Sequence, residues 1–303
     1  MCNPYIQQSK EPQLLLSFVC YADILGYKQL SLNAIEQGKG LQFLKKLYKA
    51  LSNAYTRIRE YSNFGGLPPL YFIKVFTDNI VIGFPLSKPI RRYGETEFVQ
   101  LLSVLSNFQF GLAVEGFFIR GGIGFGEHYM DDDIVFGDAL LEAVDQDNHG
   151  GPPCISLSPS VIELVRYYLG FFSQTDITPY YEFLLEDADG SIFINYLDET
   201  FIAYPDGPIF FDVIEKHKQN IIEGLNIYKG NTGIRAKYEW AARYHNFICQ
   251  EFAERHPISY DPNIDPEHAA AIDEAQKLIK YKIDIESLAA TPCRINLTPI
   301  KLE

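Results

Sequence analysis

The chain has no Cys-x-x-Cys pair, no His-Glu-x-x-His, no Gly-x-Ser-x-Gly elbow and no Gly-x-x-x-x-Gly-Lys loop. Each absence removes a class of chemistry. The five cysteines (Cys2, Cys20, Cys154, Cys249, Cys293) are odd in number and scattered, so neither a disulfide framework nor a structural zinc site is expected. They read as reduced thiols. The six histidines, among them His128, His149 and His245, lack ligand spacing. Basic clusters are equally scarce: Lys45-Lys46 and Arg91-Arg92 are the short pairs, and a net charge of −13 opposes binding to a nucleic-acid polymer. No apolar run approaches the roughly 20 residues that span a bilayer. The polar start Met1 to Gln13 has no charged-then-apolar signal pattern, so a soluble, cytoplasmic chain without a membrane partner is expected. Repeats and low-complexity segments are absent.

What the chain does have is core-forming material. At 303 residues, 47% hydrophobic and 14% aromatic, it can bury one large domain or a domain with an extension. Two acids interrupt that apolar background: Asp23 in Phe18-Val-Cys-Tyr-Ala-Asp-Ile-Leu-Gly-Tyr27 and Asp78 in Ile73-Lys-Val-Phe-Thr-Asp-Asn-Ile-Val-Ile-Gly83. Each is a lone carboxylate at the end of a β-prone run. A half-buried carboxylate costs free energy unless a cation, hydrogen bonds or a metal compensates it, which makes a divalent-metal site one reading. Turn aspartates capping backbone amides are the other.

Leu14 to Ala22 is too continuously apolar for an exposed face and reads as a central strand. A helix follows, marked by Leu44, Leu47, Tyr48, Leu51, Tyr55 and Ile58 and closed by Gly65-Gly66 and Pro68-Pro69. Leu70 to Val75 and Asn79 to Phe84 form a hairpin with Asp78 near its tip. A second helix carries Phe98, Leu101, Leu102, Leu105, Phe108 and Leu112 inward and leads to the strand Gly116-Phe-Phe-Ile-Arg-Gly-Gly-Ile-Gly-Phe-Gly126. Glycine at that density marks close approach of a ligand or another chain, or else close packing of a neighbouring helix. Asp131-Asp-Asp133 lacks EF-hand spacing and reads as a solvated turn. A helix begins near Asp138 with Ala139, Leu140, Ala143 and Val144 inward. Then come a strand at Ile155 to Leu157, a helix capped by Ser158-Pro159 over Val161 to Leu169, and a hairpin of Tyr181–Leu185 with Ile192–Tyr196 across Asp187-Ala-Asp-Gly190. Beyond about residue 205 the pattern is helical. Phe211 to Tyr228 is followed by Ile234 to His256, with Tyr238, Ala241, His245, Ile248 and Phe252 on one stripe, and a last helix is capped by Asp265-Pro266. The segment Lys237-Tyr-Glu-Trp-Ala-Ala-Arg-Tyr-His-Asn246 reads as a packing and hydrogen-bonding face.

Tyr21-Ala-Asp-Ile-Leu-Gly-Tyr27, Lys74-Val-Phe-Thr-Asp78 and Arg120-Gly-Gly-Ile-Gly-Phe-Gly126, followed by Phe136-Gly137, occur in the order of three motifs of the class III nucleotidyl cyclases. The sequence resembles that family, and with its helical tail it resembles most the pyrimidine cyclases of bacterial Pycsar anti-phage systems. The resemblance implies an α/β (α+β) fold: a ferredoxin-type mixed β-sheet flanked by helices over residues 14–200, after an N-terminal segment 1–13 and before a helical C-terminal extension 201–303. It implies a lyase that closes a nucleoside triphosphate to a 3′,5′-cyclic nucleotide and pyrophosphate with two Mn2+ or Mg2+ ions, on Asp23, Asp78 and the Ile24 carbonyl. Amides of Leu25, Gly26 and Tyr27 would receive phosphate oxygens. Lys74 and the Ile134 position, or Asp133 after a one-residue slip, would face the base. Because lysine only donates, it suits the O4 or O2 of uracil, and UTP is favoured over CTP and ATP. The family's Asn and transition-state Arg fall on Leu141 and Asp145, so Arg120 or a lysine of the extension would have to supply the cation. A homodimer with sites at its interface is implied. A non-catalytic nucleotide-binding module is the alternative from a different class.

Overall fold

β1 (Leu15–Ile24) runs through the middle of the sheet because its residues are apolar on both faces. Phe18, Cys20, Ala22 and Ile24 point into the main core, whereas Val19 and Tyr21 point into a second, smaller cluster. Asp23 shares the parity of the second set and lies on that face. The computed structural model describes residues 3–6, 11–62, 71–86, 94–148, 151–172, 180–197, 211–255, 276–285 and 291–300. Cys2, Gly65-Gly66, Pro68-Pro69, Arg91-Arg92, His149 and the Asp265-Pro266 cap lie outside the described residues.

The hairpin of β2 (Phe72–Phe76) and β3 (Asn79–Pro85) pairs with one edge of β1, and β4 (Ile119–Met130) pairs with the other. β5 (Val135–Gly137) folds back on β4. β6 (Ile155–Leu157), β8 (Ile192–Ile194), β7 (Leu184–Glu186) and β9 (Cys293–Arg294) complete the order β2-β3-β1-β4-β6-β8-β7-β9. Every pairing except the parallel β4–β6 is antiparallel. The chain is therefore a mixed, mainly antiparallel sheet flanked by helices. β9 lies far beyond residue 200 and still pairs with β7.

One face of the sheet is covered by α2 (Gly40–Ser62) and α3 (Glu95–Val114). In α3 the expected stripe is fully inside: Phe98, Leu101, Leu102, Leu105 and Leu112 have no exposed surface. By length and composition this helix could cross a membrane, but 78% of its apolar window is buried in the protein. The stripe expected for α2 holds at Leu47, which is buried, and at Leu51 and Tyr55, which pack against the core, and fails at Leu44 and Tyr48. Leu44 and Tyr48 are 58% and 72% exposed, while Leu47, Ala50 and Ala54 are buried. The buried face is centred on the Leu47, Ala50, Leu51, Ala54 and Tyr55 side, and the small Ala50 and Ala54 let α2 sit against α3.

The opposite face carries α4 (Asp138–Asn148), and here the glycines of β4 find their explanation. A Cβ on Gly124 would stand 2.2 Å from the Ala139 carbonyl oxygen, and one on Gly122 would stand 2.5 Å from that of Ala143. Close packing of a helix, not the approach of a ligand, accounts for these two positions. Gly124→Ala should destabilise the fold by roughly 1–3 kcal/mol as α4 is pushed off the sheet. A lower urea midpoint at unchanged m-value would show it; an unchanged midpoint would refute this account of the glycine.

Residues 3–6 also lie on this face. Tyr5 is fully buried, with its ring edge-on to His128, and Asn3 donates to the Met130 carbonyl at 2.9 Å. Beyond α5 (Pro159–Phe172), whose Val161 amide bonds the Ser158 hydroxyl, comes α6 (Tyr180–Phe183). The hairpin expected to start at Tyr181 thus begins with a helical turn and its strand starts at Leu184. Gly190 in its tight turn has φ +84°. The C-terminal part supplies α7 (Phe211–Ile227) and α8 (Thr232–Arg255). Asn220 on α7 donates to the Ala113 and Val114 carbonyls, satisfying the open end of α3. From α8, Trp240 donates to Asp187 at 2.6 Å and Tyr244 donates to Asn195 at 2.8 Å.

Candidate active site

The two acids meet at the end of the sheet. Asp23 is the cross-strand partner of Asn79, and the Ile24 amide donates to the Asp78 carbonyl at 3.2 Å, so the two carboxylates spring from neighbouring backbone positions. Asp78 sits in a two-residue turn, Thr77-Asp78. Thr77 has φ +60°, a strained conformation for a β-branched residue. Its hydroxyl donates to Asp78 Oδ1 at 2.8 Å, and Asn79 Nδ2 approaches the same oxygen at 3.4 Å. The Tyr21 hydroxyl donates to Asn79 Oδ1 beneath them.

Asp23 faces Arg120, which is opposite it on β4. The guanidinium grips both carboxylate oxygens, Nε to Oδ1 at 2.9 Å and Nη2 to Oδ2 at 3.1 Å. This fork holds the arginine above its ordinary pKa. Arg120 is therefore seated as a cross-strand ion-pair partner. A second acid, Asp147 at the end of α4, lies 3.3 Å from Arg120 Nε and is only 7% exposed. That nitrogen is aligned on Asp23, so Asp147 Oδ1 is close to it yet has no hydrogen bond among the described residues. Burial raises the pKa of Asp147, the nearby Asp23 raises it further, and Arg120 and Lys237 oppose the shift. Tyr21 is raised by burial and by the fields of Asp147, Asp23 and Asp78, against Arg120.

Beyond Asp23 the chain turns into α1 (Tyr27–Glu36) through Gly26, whose φ of +72° places it in the left-handed region. No side chain caps this helix, so its first-turn amides remain available to an anion. The Leu25 amide is not: it donates to the Phe118 carbonyl at 2.8 Å. Of the three expected phosphate amides, Leu25 is thus removed, leaving Gly26 and Tyr27.

Lys74 on β2 reaches the turn before β5, donating to the Asp131 carbonyl at 3.3 Å. Asp131 organises that turn by accepting from the Tyr129 hydroxyl and from the Asp133 and Ile134 amides. These bonds lower its pKa, the Ile134 amide most. The aspartate triplet is therefore a capped turn. Lys74 and Ile134 are brought to one neighbourhood, and Ile134, Phe136 and Leu141 project outward, 54%, 62% and 66% exposed. Asp145 is likewise on the exposed side of α4.

Sequence reasoning missed Asp147 and Tyr228 and did not single out Lys237. Two of them carried a signal. Asp147 continues the inward i, i+4 row of Ala139 and Ala143, and Lys237 precedes Ala241 and His245 in the same way. Among the described residues, no group of three or more His, Cys, Asp or Glu side chains stands ready to hold a metal ion. Asp23, Asp78 and the Ile24 carbonyl nonetheless offer hard oxygen donors of the kind Mg2+ and Mn2+ take, provided Arg120 yields Asp23.

No protein-family model matches the sequence, and no curated protein matches it. Among solved structures, the adenylyl cyclase CyaB from P. aeruginosa is 14% identical, with a TM-score of 0.39, over 60% of this chain and 94% of that one. The guanylyl cyclase Cya2 is 12% identical, with a TM-score of 0.34, over 50% of this chain and 78% of the other. At such identities and scores, what this chain does has to be read from its own residues.

Proposed function

We propose that the chain is a metal-dependent nucleotidyl cyclase that converts UTP to 3′,5′-cyclic UMP and pyrophosphate. One observation carries this reading: Asp23 and Asp78 emerge side by side next to an uncapped helix N-terminus. Arg120 compensates Asp23, whereas Asp78 beside it has no cationic partner among the described residues, and a divalent cation shared by the two acids would supply one. Cyclisation requires the ribose 3′-hydroxyl to attack the α-phosphorus as pyrophosphate leaves. Bound Mg2+ or Mn2+ would ease deprotonation of that hydroxyl and offset charge on the leaving phosphates. Asp23, Asp78 and the Ile24 carbonyl would hold the ions, and the Gly26 and Tyr27 amides would receive phosphate oxygens. Arg120 pairs with Asp23, and Asp147 is the second carboxylate to which its guanidinium can turn.

Lys74 supports the pyrimidine assignment. It offers donors only, and Ile134 beside its turn offers no side-chain acceptor, a pairing suited to a carbonyl-bearing base edge such as that of uracil. CTP, through its O2, ranks second. Exposed Phe76, Ile134, Phe136 and Leu141 support a homodimer that covers them. A role for the cyclic product as an anti-phage messenger rests on the resemblance to the Pycsar cyclases. A second reading, a nucleotide-binding module without turnover, is favoured by the Arg120 fork that already satisfies Asp23.

The deciding experiment supplies Mn2+ and each nucleoside triphosphate separately and identifies products by mass spectrometry. Cyclic UMP from UTP alone is the expected result. Product from CTP or ATP reassigns the base, and no cyclic product from any triphosphate overturns the enzymatic reading.

A further inference from the structure

The C-terminal helical pair is keyed onto the candidate site, not merely appended to the sheet. Tyr228, directly after α7, is 4% exposed, and its hydroxyl lies 2.7 Å from where a Cβ of Gly26 would stand. Among the described residues that hydroxyl has no hydrogen-bond partner. It is held by a run of rings: Tyr228 stacks on Tyr238 of α8 at 5.7 Å, and Tyr238 meets Phe118 edge-on at 5.4 Å. Phe118 is also the residue whose carbonyl binds the Leu25 amide, so the rings, the turn at Gly26 and the start of α1 form one packed unit.

One residue before Tyr238, Lys237 shares the electrostatic neighbourhood of Arg120, Asp23 and Asp147. It forms no ion pair within 4 Å among the described residues. Burial and the Arg120 charge lower its pKa, while Asp23 and Asp147 support the charged form. Arg120 is already committed to Asp23. The extension thus brings to this corner a lysine without an ion pair and a buried donor without an acceptor.

We propose that α7 and α8 complete the triphosphate end of the site from within the same chain. Lys237 is the cation that meets the phosphates, and the Tyr228 hydroxyl donates to an oxygen held at the first turn of α1, across Gly26 where no side chain intervenes. This assignment rests on the nucleotide-triphosphate reading of the site.

The test measures calorimetric binding of inorganic tripolyphosphate with Mg2+ to the full-length chain, alongside KM and kcat for the triphosphate that is turned over. Lys237→Ala should weaken tripolyphosphate binding and raise KM by roughly tenfold to a hundredfold, with Lys237→Arg restoring much of the loss. Tyr228→Phe keeps the ring and should weaken binding roughly tenfold. Its thermal midpoint should stay equal or rise, because the hydroxyl it removes is unsatisfied in the free protein, and a purely structural tyrosine would not show that split. Wild-type binding and KM in both Lys237→Ala and Tyr228→Phe would overturn the inference even if the wild type makes cyclic nucleotide. Tripolyphosphate binding that depends on both residues in a chain yielding no cyclic product would uphold it while the cyclase reading fails. A wild type that neither binds nor turns over sinks both.

Discussion

Asp78→Asn should lower cyclic-nucleotide formation at least about a hundredfold, the scale expected when a charged group facing the reacting phosphates is lost. Its folding cost should be small, within about 0.5 kcal/mol, because the carboxylate sits in a hairpin turn and its protein partners are the Thr77 hydroxyl and the Asn79 amide. Asp23→Asn should abolish product equally but also cost stability, since it leaves the half-buried Arg120 with only the poorly aligned Asp147 for a carboxylate. The pair therefore separates chemistry from folding: equal loss of turnover with unequal loss of urea midpoint. Near wild-type turnover in purified Asp78→Asn protein would remove the metal assignment. An intact urea midpoint in Asp23→Asn would show that the ion pair with Arg120 contributes nothing to the fold.

Much of this arrangement was legible in the sequence because it depends on short-range pattern. The central strand, the hairpin that carries Asp78 and the stripe of α3 follow from alternation and three-to-four-residue recurrence, and they appear at Leu15–Ile24, Phe72–Pro85 and Glu95–Val114. The glycines of β4 were visible as an anomaly, but two explanations share that signature. Only the position of α4, set by long-range packing, decides for the helix. Leu44 and Tyr48 were assigned to a buried face because a helix with apolar residues on adjacent rows does not reveal which row its neighbour covers. The Leu25 amide was lost to the Phe118 carbonyl, and Tyr228 was placed over Gly26, by contacts between residues roughly 90 or more positions apart in sequence. No periodicity encodes these.

Acidification should loosen the extension well before it protonates ordinary carboxylates. His217 and His245 stack at 5.2 Å in the interior, with their Nδ1 atoms 3.0 Å apart. His245 Nε2 lies 3.1 Å from the Tyr281 carbonyl, which can only accept, so that nitrogen carries the proton and His245 Nδ1 is the acceptor. His217 must then donate through Nδ1 and accept at Nε2 from the Tyr196 hydroxyl, 3.0 Å away. The chain of bonds runs in one direction and requires both rings to be neutral. Protonating either ring puts a donor against a donor or removes the acceptor of Tyr196. Burial pushes His245 down to about 4, assisted by Lys218 and opposed by the Tyr281 carbonyl and Glu215. His217 is pushed well below its ordinary value by burial and by His245. Both folded-state values lie below that of an unfolded histidine, near 6.5. Below that pH the unfolded chain takes up protons that the folded chain refuses. The stabilisation is therefore complete above about pH 6.5 and lost as pH falls towards 4, roughly 3 kcal/mol for His245 alone. Urea midpoints measured from pH 7.5 to 4.5 should fall across that window. His245→Gln should lower the midpoint at pH 7.5 yet flatten the fall, and a fall parallel to wild type would show that this pair is not its source. His128, buried with neither ring nitrogen bonded among the described residues and also lowered to about 4 by burial, adds a separate component that His128→Leu removes. Because α8 carries both His245 and Lys237, turnover should decline over the same range as the extension loosens.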